Sequence, residues 1–234
     1  MKFWHGCNYP WSTDGRTAFY GMDFGANVWG THVGVSTRRK EVARDFLAMA
    51  RLGFTIVRWF VFCDGRSGIE CDDRGLPSGL NPHLFVDLDA APDLAREVDI
   101  RLVLVLLDHR WMFEGIPDVI ADPSTGALLE AKLPEGRAHV LDAHGGREAL
   151  LGNIVEPLVR RYGFEGARAD LGSQVFAFEF MNEPDFTVDE WERDRSSRVT
   201  RALPFAALAA ALSRLSDVVH EHSPAIVTLG GARA

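Results

Sequence analysis

The sequence predicts an α/β fold, an incomplete (β/α)8 TIM barrel of which about five β/α units are present. Short apolar runs alternate along the chain with longer segments whose apolar residues recur at helical spacing. The segments that follow the apolar runs are long, whereas those that follow the helical segments are short, which is typical of barrels. The Gly-rich dinucleotide-binding motif expected after the first strand of a doubly wound sheet is missing from the sequence. Together these observations favour the barrel.

Five apolar runs are predicted to form strands. They are nearly continuous and rich in β-branched and aromatic residues, as expected of a parallel sheet that is covered on its outer face. In chain order, the predicted strands are residues 3–9, 53–62, 100–107, 174–181 and 225–229. The alternation of strands and helices predicts parallel strands joined by right-handed crossovers.

Four helices are predicted between these strands. We expect Ser36 or Thr37 to cap the first helix. The second is predicted to begin at Pro92, since proline suits the first turn of a helix. Pro157 lies inside the apolar stripe of the third, where we expect it to kink the helix. The fourth is predicted to begin at Pro204.

The number of strands decides how much of a barrel is present. A (β/α)8 barrel closes with eight strands, whereas five strands leave two bare sheet edges. We therefore interpret residues 1–234 as the N-terminal part of a single catalytic barrel, with strands 6–8 missing. Because its sheet cannot close, the 234-residue chain alone is expected to be poorly stable and inactive.

Composition limits the classes of partner. The hydrophobic fraction of 47% and the charged fraction of 25% are those of an ordinary soluble globular domain. The net charge of −8 argues against nucleic acid and membrane surfaces as partners, and no stretch approaches the roughly 20 apolar residues that span a bilayer. The three cysteines show no paired spacing and the first residues lack a signal-peptide run. We therefore expect a cytoplasmic protein, or a secreted one if the N-terminus is not native, and the sequence leaves the oligomeric state open.

The fourth predicted strand ends in Phe-Met-Asn-Glu-Pro, which carries the strongest functional signal in the chain. Side chains alternate along a strand, so Glu179 and Glu183 are expected to face the barrel interior. Pro184 ends the strand and leaves Glu183 at its carboxyl end, where barrel enzymes carry out their chemistry. A carboxylic acid partly shielded from water there can protonate a departing alkoxide, as cleavage of a glycosidic bond requires. Asn182 beside it can hydrogen-bond a sugar hydroxyl.

This strand, with Phe-Glu-Phe-Met-Asn-Glu-Pro at residues 178–184, resembles the clan A glycoside hydrolases, particularly the cellulase- and mannanase-like members of glycoside hydrolase family 5. Three shorter stretches also look similar to that family: Gly-Cys-Asn-Tyr-Pro-Trp at 6–11, Val-Arg-Trp at 57–59 and His-Arg-Trp at 109–111. The resemblance covers the whole chain in its organisation, and its specific part is the fourth-strand motif.

The resemblance implies a retaining O-glycoside hydrolase, a glycosidase that acts on β-linked hexose oligo- or polysaccharides without a cofactor or a metal. It implies that Glu183 is the general acid/base, that Asn182 holds the 2-hydroxyl of the sugar and that Arg58 orients the nucleophile. The nucleophile of that family is a second glutamate at the end of the seventh strand, so it is missing from this chain. We expect Glu179 to be a buried structural carboxylate, paired with Arg58.

Five further residues are predicted to bind the carbohydrate substrate. Aromatic faces stack on the C–H surface of pyranose rings, which suits Trp11, Trp29 and Trp111 in the segments after the strands. His109 follows the third strand and is either a sugar ligand or a hydrogen-bonded structural histidine. Asn8 belongs to the first-strand stretch that resembles the family.

Two other functions stay open. A barrel that keeps the sugar groove but has no nucleophile would be a non-catalytic carbohydrate-binding protein, a pseudoenzyme. A metal-dependent sugar isomerase-type barrel needs several strand-end carboxylates and histidines as ligands, and this sequence offers few. The sequence determines neither the sugar and its linkage nor whether cleavage is internal or terminal.

Overall fold

The computed structural model describes residues 4–12, 23–26, 30, 32–114, 116–121, 128–133, 136–191 and 196–231. Its centre is a parallel sheet whose five strands pair in the order in which they occur along the chain. The strands are β1 (Gly6–Asn8), β2 (Ile56–Phe60), β3 (Arg101–Asp108), β4 (Val175–Asn182) and β5 (Ile226–Gly230). All five predicted strands are confirmed, and the architecture is that of an incomplete (β/α)8 barrel.

Helices alternate with the strands. They are α1 (Arg39–Arg51), α2 (Leu84–Glu97), α3 (Ala138–Asp142), α4 (His144–Leu150), α5 (Glu156–Tyr162) and α6 (Phe205–His222). Short 3-10 turns lie at Val35–Thr37, His109–Met112, Ala169–Gln174, Pro184–Phe186 and Asp189–Trp191. Two antiparallel hairpins extend the segments after β2 and β3: Ile69–Cys71 with Pro77–Leu80, and Ile116–Ala121 with Leu128–Leu133. The elaboration is therefore on the segments that follow strands, as predicted.

The ends of the first two helices differ from the prediction. Arg38 directly precedes α1 and gives it no side-chain cap, because Ser36 donates its hydroxyl to Asp87 and Thr37 donates to the Gly34 carbonyl. Helix α2 begins at Leu84, and Pro92 lies inside it. Proline removes one hydrogen bond from a helix interior. The free energy gained by burying the apolar face of α2 outweighs the cost of that loss.

The two later helices agree better with the prediction. A π-helical turn, Leu151–Val155, stands directly before α5, in which Pro157 occupies the first turn. Because Pro157 has no N–H to donate to the preceding turn, the irregularity expected there is confirmed as a π turn. Helix α6 begins directly after Pro204, as predicted.

The outer face of the sheet carries the hydrophobic core. Phe178 and Phe180 of β4 are fully buried, and the buried Trp59 of β2 packs edge-on against Tyr9 and Phe46, with ring centroids 5.0 and 5.6 Å apart. The alternation of side chains then directs the intervening residues of β2 and β4 to the inner face. The core therefore fixes which residues face the barrel interior.

Asp87 of α2 fastens the segment between β1 and α1 to the barrel. Its buried carboxylate accepts hydrogen bonds from the backbone N–H groups of Gly25 and Ser36 at 2.8 and 2.9 Å, and it contacts His32 Nε2 at 2.8 Å. A Cβ on Gly34 would lie 2.0 Å from Asp87 Oδ2, so only glycine fits at that position. The Asp87 carboxylate thus provides the hydrogen-bond acceptors that backbone carbonyls provide in a regular helix or strand.

Each outer strand has one edge that pairs with no strand among the described residues, since β1 pairs with β2 alone and β5 with β4 alone. The surface along β5 is correspondingly exposed to solvent, and Ile226 is 50% exposed. In the described part of the chain, no helix has the length and apolar character to cross a membrane.

The open edges predict how the 234-residue chain behaves alone. We expect it to associate or to unfold without a sharp transition, because exposed strand edges pair with other chains. Light scattering after size exclusion and a thermal melt followed by circular dichroism check this. Ile226→Lys, which places a charge on the open edge, is expected to reduce association. One cooperative melt from a monodisperse monomer would contradict the prediction.

Candidate active site

The carboxyl ends of β1 to β4 converge on a cleft of about 210 Å³. Strand register brings them together, because Asn8 is paired with Arg58 and Asp108 with Asn182. The cleft is lined by Asn8, Pro10, Trp11, Arg58, Phe60, Asp108, His109, Arg110, Asn182 and Glu183. Six of the eight predicted site residues therefore meet in one place: Asn8, Trp11, Arg58, His109, Asn182 and Glu183.

Two predicted site residues do not lie in this cleft. Trp111 is 1% exposed, because the 3-10 turn after β3 carries it into the core, where the Arg137 guanidinium lies 5.5 Å from its ring centroid. The structure thus gives Trp111 no face for a sugar to stack on. Trp29 lies outside the described residues.

Two larger cavities lie elsewhere. One, of about 590 Å³, is lined mainly by residues of α5 and of the segment that follows it. The other, of about 870 Å³, runs between α6 and the open edge of β5. Neither includes a residue from the carboxyl ends of β1 to β4, so the smaller cleft is the candidate site.

Glu183 directly follows β4 in a backbone conformation that is unusual for a glutamate. Its φ is 52° and its ψ is 51°, in the left-handed region, where a residue with a Cβ is strained by about 1 kcal/mol or more. The strain is held in place because the Glu183 N–H donates to the Gly230 carbonyl of β5 at 2.6 Å and Pro184 opens the next turn. The Glu183 side chain, 38% exposed, lines the cleft.

The Asn182 amide connects the charged groups of the site. Its Oδ1 accepts a hydrogen bond from Arg58 Nη2 at 2.8 Å, and its Nδ2 donates to Asp108 Oδ2 at 2.8 Å and to Glu183 Oε2 at 3.1 Å. This orientation of the amide satisfies all three partners, whereas the flipped orientation would satisfy none. Asn182 is therefore held in one rotamer and one orientation.

Arg58 lies beneath Asn182 and binds Glu179 through two parallel hydrogen bonds. Its Nε donates to Glu179 Oε2 at 2.7 Å, its Nη2 donates to Glu179 Oε1, and its Nη1 donates to Asn8 Oδ1 at 3.2 Å. Glu179 is 4% exposed, so a buried carboxylate here depends on this cation. The expected pairing of Glu179 with Arg58 is confirmed.

His109 stands between two carboxylates. Its Nδ1 lies 3.3 Å from Glu183 Oε2 and 3.5 Å from Asp108 Oδ1. The ring packs against Phe113 and Phe186, with centroid separations of 5.2 and 5.1 Å. These contacts fix the imidazole at the wall of the cleft.

Asp108 is a site residue that sequence reasoning did not identify. Burial raises the pKa of its carboxyl above the usual range, and the Glu183 carboxylate adds to this rise, whereas His109 and the Asn182 hydrogen bond oppose it. Asp108 also accepts the Arg110 N–H at 3.0 Å and so caps the following turn. The sequence signal was its position at the end of an apolar run, directly before His109.

The cleft provides one carboxyl group that substrate can reach. Glu183 is accessible, whereas Asp108, the other carboxyl group in the cleft lining, is buried and is engaged by Asn182 and by the Arg110 N–H. A double displacement needs a proton donor and a separate nucleophilic carboxylate about 5 Å apart. The described residues of the cleft therefore include one accessible carboxyl group, Glu183, and the side chains that orient it.

No protein-family model matches this chain, and no curated protein matches it. Solved structures do match. A β-mannanase from the blue mussel Mytilus edulis has a TM-score of 0.71 at 17% identity, over 98% of this chain and 58% of its own. A β-1,4-D-mannanase from Cryptopygus antarcticus has a TM-score of 0.70 at 18% identity, over 98% of this chain and 56% of its own. An exo-β-1,4-mannosidase from Opitutaceae bacterium strain TAV5 has a TM-score of 0.52 at 14% identity, over 96% of this chain and 31% of its own.

The chain thus spans little more than half the length of the two mannanases. At these identities the likeness concerns the fold, and it confirms the fold that the sequence resemblance implied. The chain has the fold of the (β/α)8-barrel glycoside hydrolases, in an incomplete form.

Proposed function

We propose that this chain is the acid/base half of a retaining O-glycoside hydrolase that acts on β-linked hexose oligo- or polysaccharides. The observation that supports this most is the position of Glu183. Its carboxyl group stands in a cleft at the carboxyl end of β4, hydrogen-bonded by an Asn182 that Arg58 and Asp108 hold in place. The nucleophile is proposed to come from strands that complete the barrel.

Glu183 protonates the glycosidic oxygen as the bond to the sugar breaks, and then removes a proton from the water that releases the sugar. Its half-exposed side chain suits both steps, because the leaving group and the water must each reach the same carboxyl group. The strained backbone at Glu183 supports this role, since strain of this kind is concentrated at functional sites.

Asn182 and Arg58 act as orienting groups. When a sugar enters the cleft, Asn182 Nδ2 is the donor closest to Glu183 and is proposed to bind the 2-hydroxyl, where a hydrogen bond strengthens in the transition state. Arg58 has its Nε and Nη2 occupied by Glu179 and Asn182, so we propose that its Nη1, which contacts Asn8, orients the nucleophile supplied by a later strand.

The substrate proposed for the first assay is a β-1,4-linked mannan, because two of the matching structures are a β-1,4-D-mannanase and an exo-β-1,4-mannosidase. Trp11 and Phe60 support a saccharide ligand, since both line the cleft and their rings lie 6.2 Å apart in an edge-to-face arrangement. Aromatic side chains of this kind provide stacking surfaces for pyranose rings.

A second candidate is a carbohydrate-binding barrel without catalytic activity. It is favoured by one observation: within the described residues, the cleft offers no accessible carboxylate besides Glu183. This alternative predicts sugar binding that survives replacement of Glu183 and no hydrolysis.

Glu183→Gln tests the acid/base role in the protein that carries the complete barrel. We expect hydrolysis of β-1,4-mannan to fall by about 100-fold or more, because general acid–base catalysis contributes roughly 10²–10⁴-fold. Cleavage of a dinitrophenyl β-mannoside, whose leaving group needs no proton, should show an unchanged burst of dinitrophenol. Glu97→Gln, at the exposed end of α2, is the matched control and should leave both rates unchanged. Equal turnover of mannan by Glu183→Gln would remove this residue from the mechanism.

Arg58→Lys tests the buried ion pair. Lysine keeps the charge but cannot bind Glu179 through two hydrogen bonds while also reaching Asn8 and Asn182. We expect the free energy of unfolding of the complete-barrel protein to fall by about 2–3 kcal/mol, from partial loss of a buried pair. Urea unfolding measures this. Arg160→Lys, an exposed Arg–Glu pair on α5, is the control, for which a change below about 0.5 kcal/mol is expected. Equal effects of the two substitutions would contradict the role given to Arg58.

A further inference from the structure

The His109 imidazole has a nitrogen that its surroundings leave without a hydrogen bond. His109 is 8% exposed, and its Nδ1 is buried and makes no hydrogen bond to any described residue, although two carboxylate oxygens lie at 3.3 and 3.5 Å. A buried polar atom without a partner costs about 1–3 kcal/mol, so this arrangement calls for a ligand that the three groups share.

The spacing of these atoms is that of metal ligands. Ligand atoms of Asp108, His109 and Glu183 all lie within 4.8 Å of one another. A tetrahedral zinc ion with bonds of about 2.0–2.2 Å separates its ligand atoms by about 3.3–3.6 Å. The two separations that involve His109 Nδ1, 3.3 and 3.5 Å, already have these values.

The surroundings hold two of the ligands in place and leave the third adjustable. Phe113 and Phe186 fix the His109 ring, and Asn182 and the Arg110 N–H fix Asp108. Outer-shell contacts of this kind orient the ligands of metal sites. The Arg110 guanidinium interacts electrostatically with the Glu183 carboxylate, and its positive charge opposes the binding of a cation there.

We propose that Asp108, His109 and Glu183 form a binding site for a divalent transition-metal ion of the Zn²⁺ class. One imidazole nitrogen and two carboxylates suit zinc, cobalt or copper, whereas Mg²⁺ and Ca²⁺ prefer oxygen ligands throughout. The fourth position faces the cleft and takes a water molecule. The site inhibits rather than assists, because a Glu183 carboxylate bound to a metal has no proton to donate. The inhibition rests on the proposed function, whereas metal binding does not.

Calorimetric titration of the complete-barrel protein with ZnCl₂ tests the site, and the visible spectrum of Co²⁺ reports its coordination. We expect one ion per chain. Removing a ligand with His109→Ala should weaken Zn²⁺ binding by more than about 100-fold, beyond the 10–100-fold cost of losing an outer-shell partner. His220→Ala, an exposed histidine on α6, is the matched control and should leave the affinity unchanged. Asp108→Asn, which keeps the shape of the carboxyl group, should weaken binding in the same sense as His109→Ala.

Three outcomes would overturn the proposal: no binding of Zn²⁺ by the complete-barrel protein, equal losses in His109→Ala and His220→Ala, or binding that Asp108→Asn leaves unchanged. Inhibition is measured separately, on the complete-barrel protein. Zinc binding without hydrolase activity would support the site while counting against the proposed function. If saturating Zn²⁺ does not inhibit hydrolysis, the inhibitory role is overturned while the binding site stands. Activity that requires the metal would also contradict the inhibitory role.

Discussion

The hydrogen-bonded pair of Arg58 and Glu179 organises the inner face of the sheet. A carboxylate buried to this degree is stable only with a cation against it, and Arg58 then uses its remaining N–H groups on Asn8 and Asn182. The pair thereby joins β1, β2 and β4 at the end where the cleft opens. It also constrains β5, since a Cβ on Gly230 would lie 2.2 Å from Glu179 Oε1. Four strands are thus adjusted to a single buried charge pair.

A single amide connects this pair to the cleft. Asn182 accepts a hydrogen bond from the Arg58 cation on one side and donates to two carboxylates on the other, so it links the buried ion pair to the carboxyl groups of the cleft. The amide is neutral, and it therefore brings Asp108 and Glu183 close together without adding a charge of its own. Burial is the main cause of the raised pKa of Asp108, and the nearby Glu183 carboxylate adds to it.

The order of strands and helices could be predicted from the sequence because it depends on hydrophobic periodicity, a local property. The cap of α1 could not be predicted, because Ser36 donates its hydroxyl to Asp87, which lies far from it in the sequence. Glu183 was found because strand alternation and Pro184 place it at the carboxyl end of the fourth strand, whereas the roles of Asn182 and Arg58 were implied by the resemblance to glycoside hydrolase family 5. Asp108 was missed because its place beside Asn182 depends on the register between β3 and β4. Trp111 was misplaced because the tight turn after β3 directs its side chain into the core.

The left-handed backbone at Glu183 has a consequence for how the site comes into being. Its N–H is held by a carbonyl of β5, the strand that is made next. The chain is synthesised from its N-terminus, so this hydrogen bond can form only after Gly230 has been made. The final backbone conformation of Glu183 therefore depends on the strand that follows it as well as on β4.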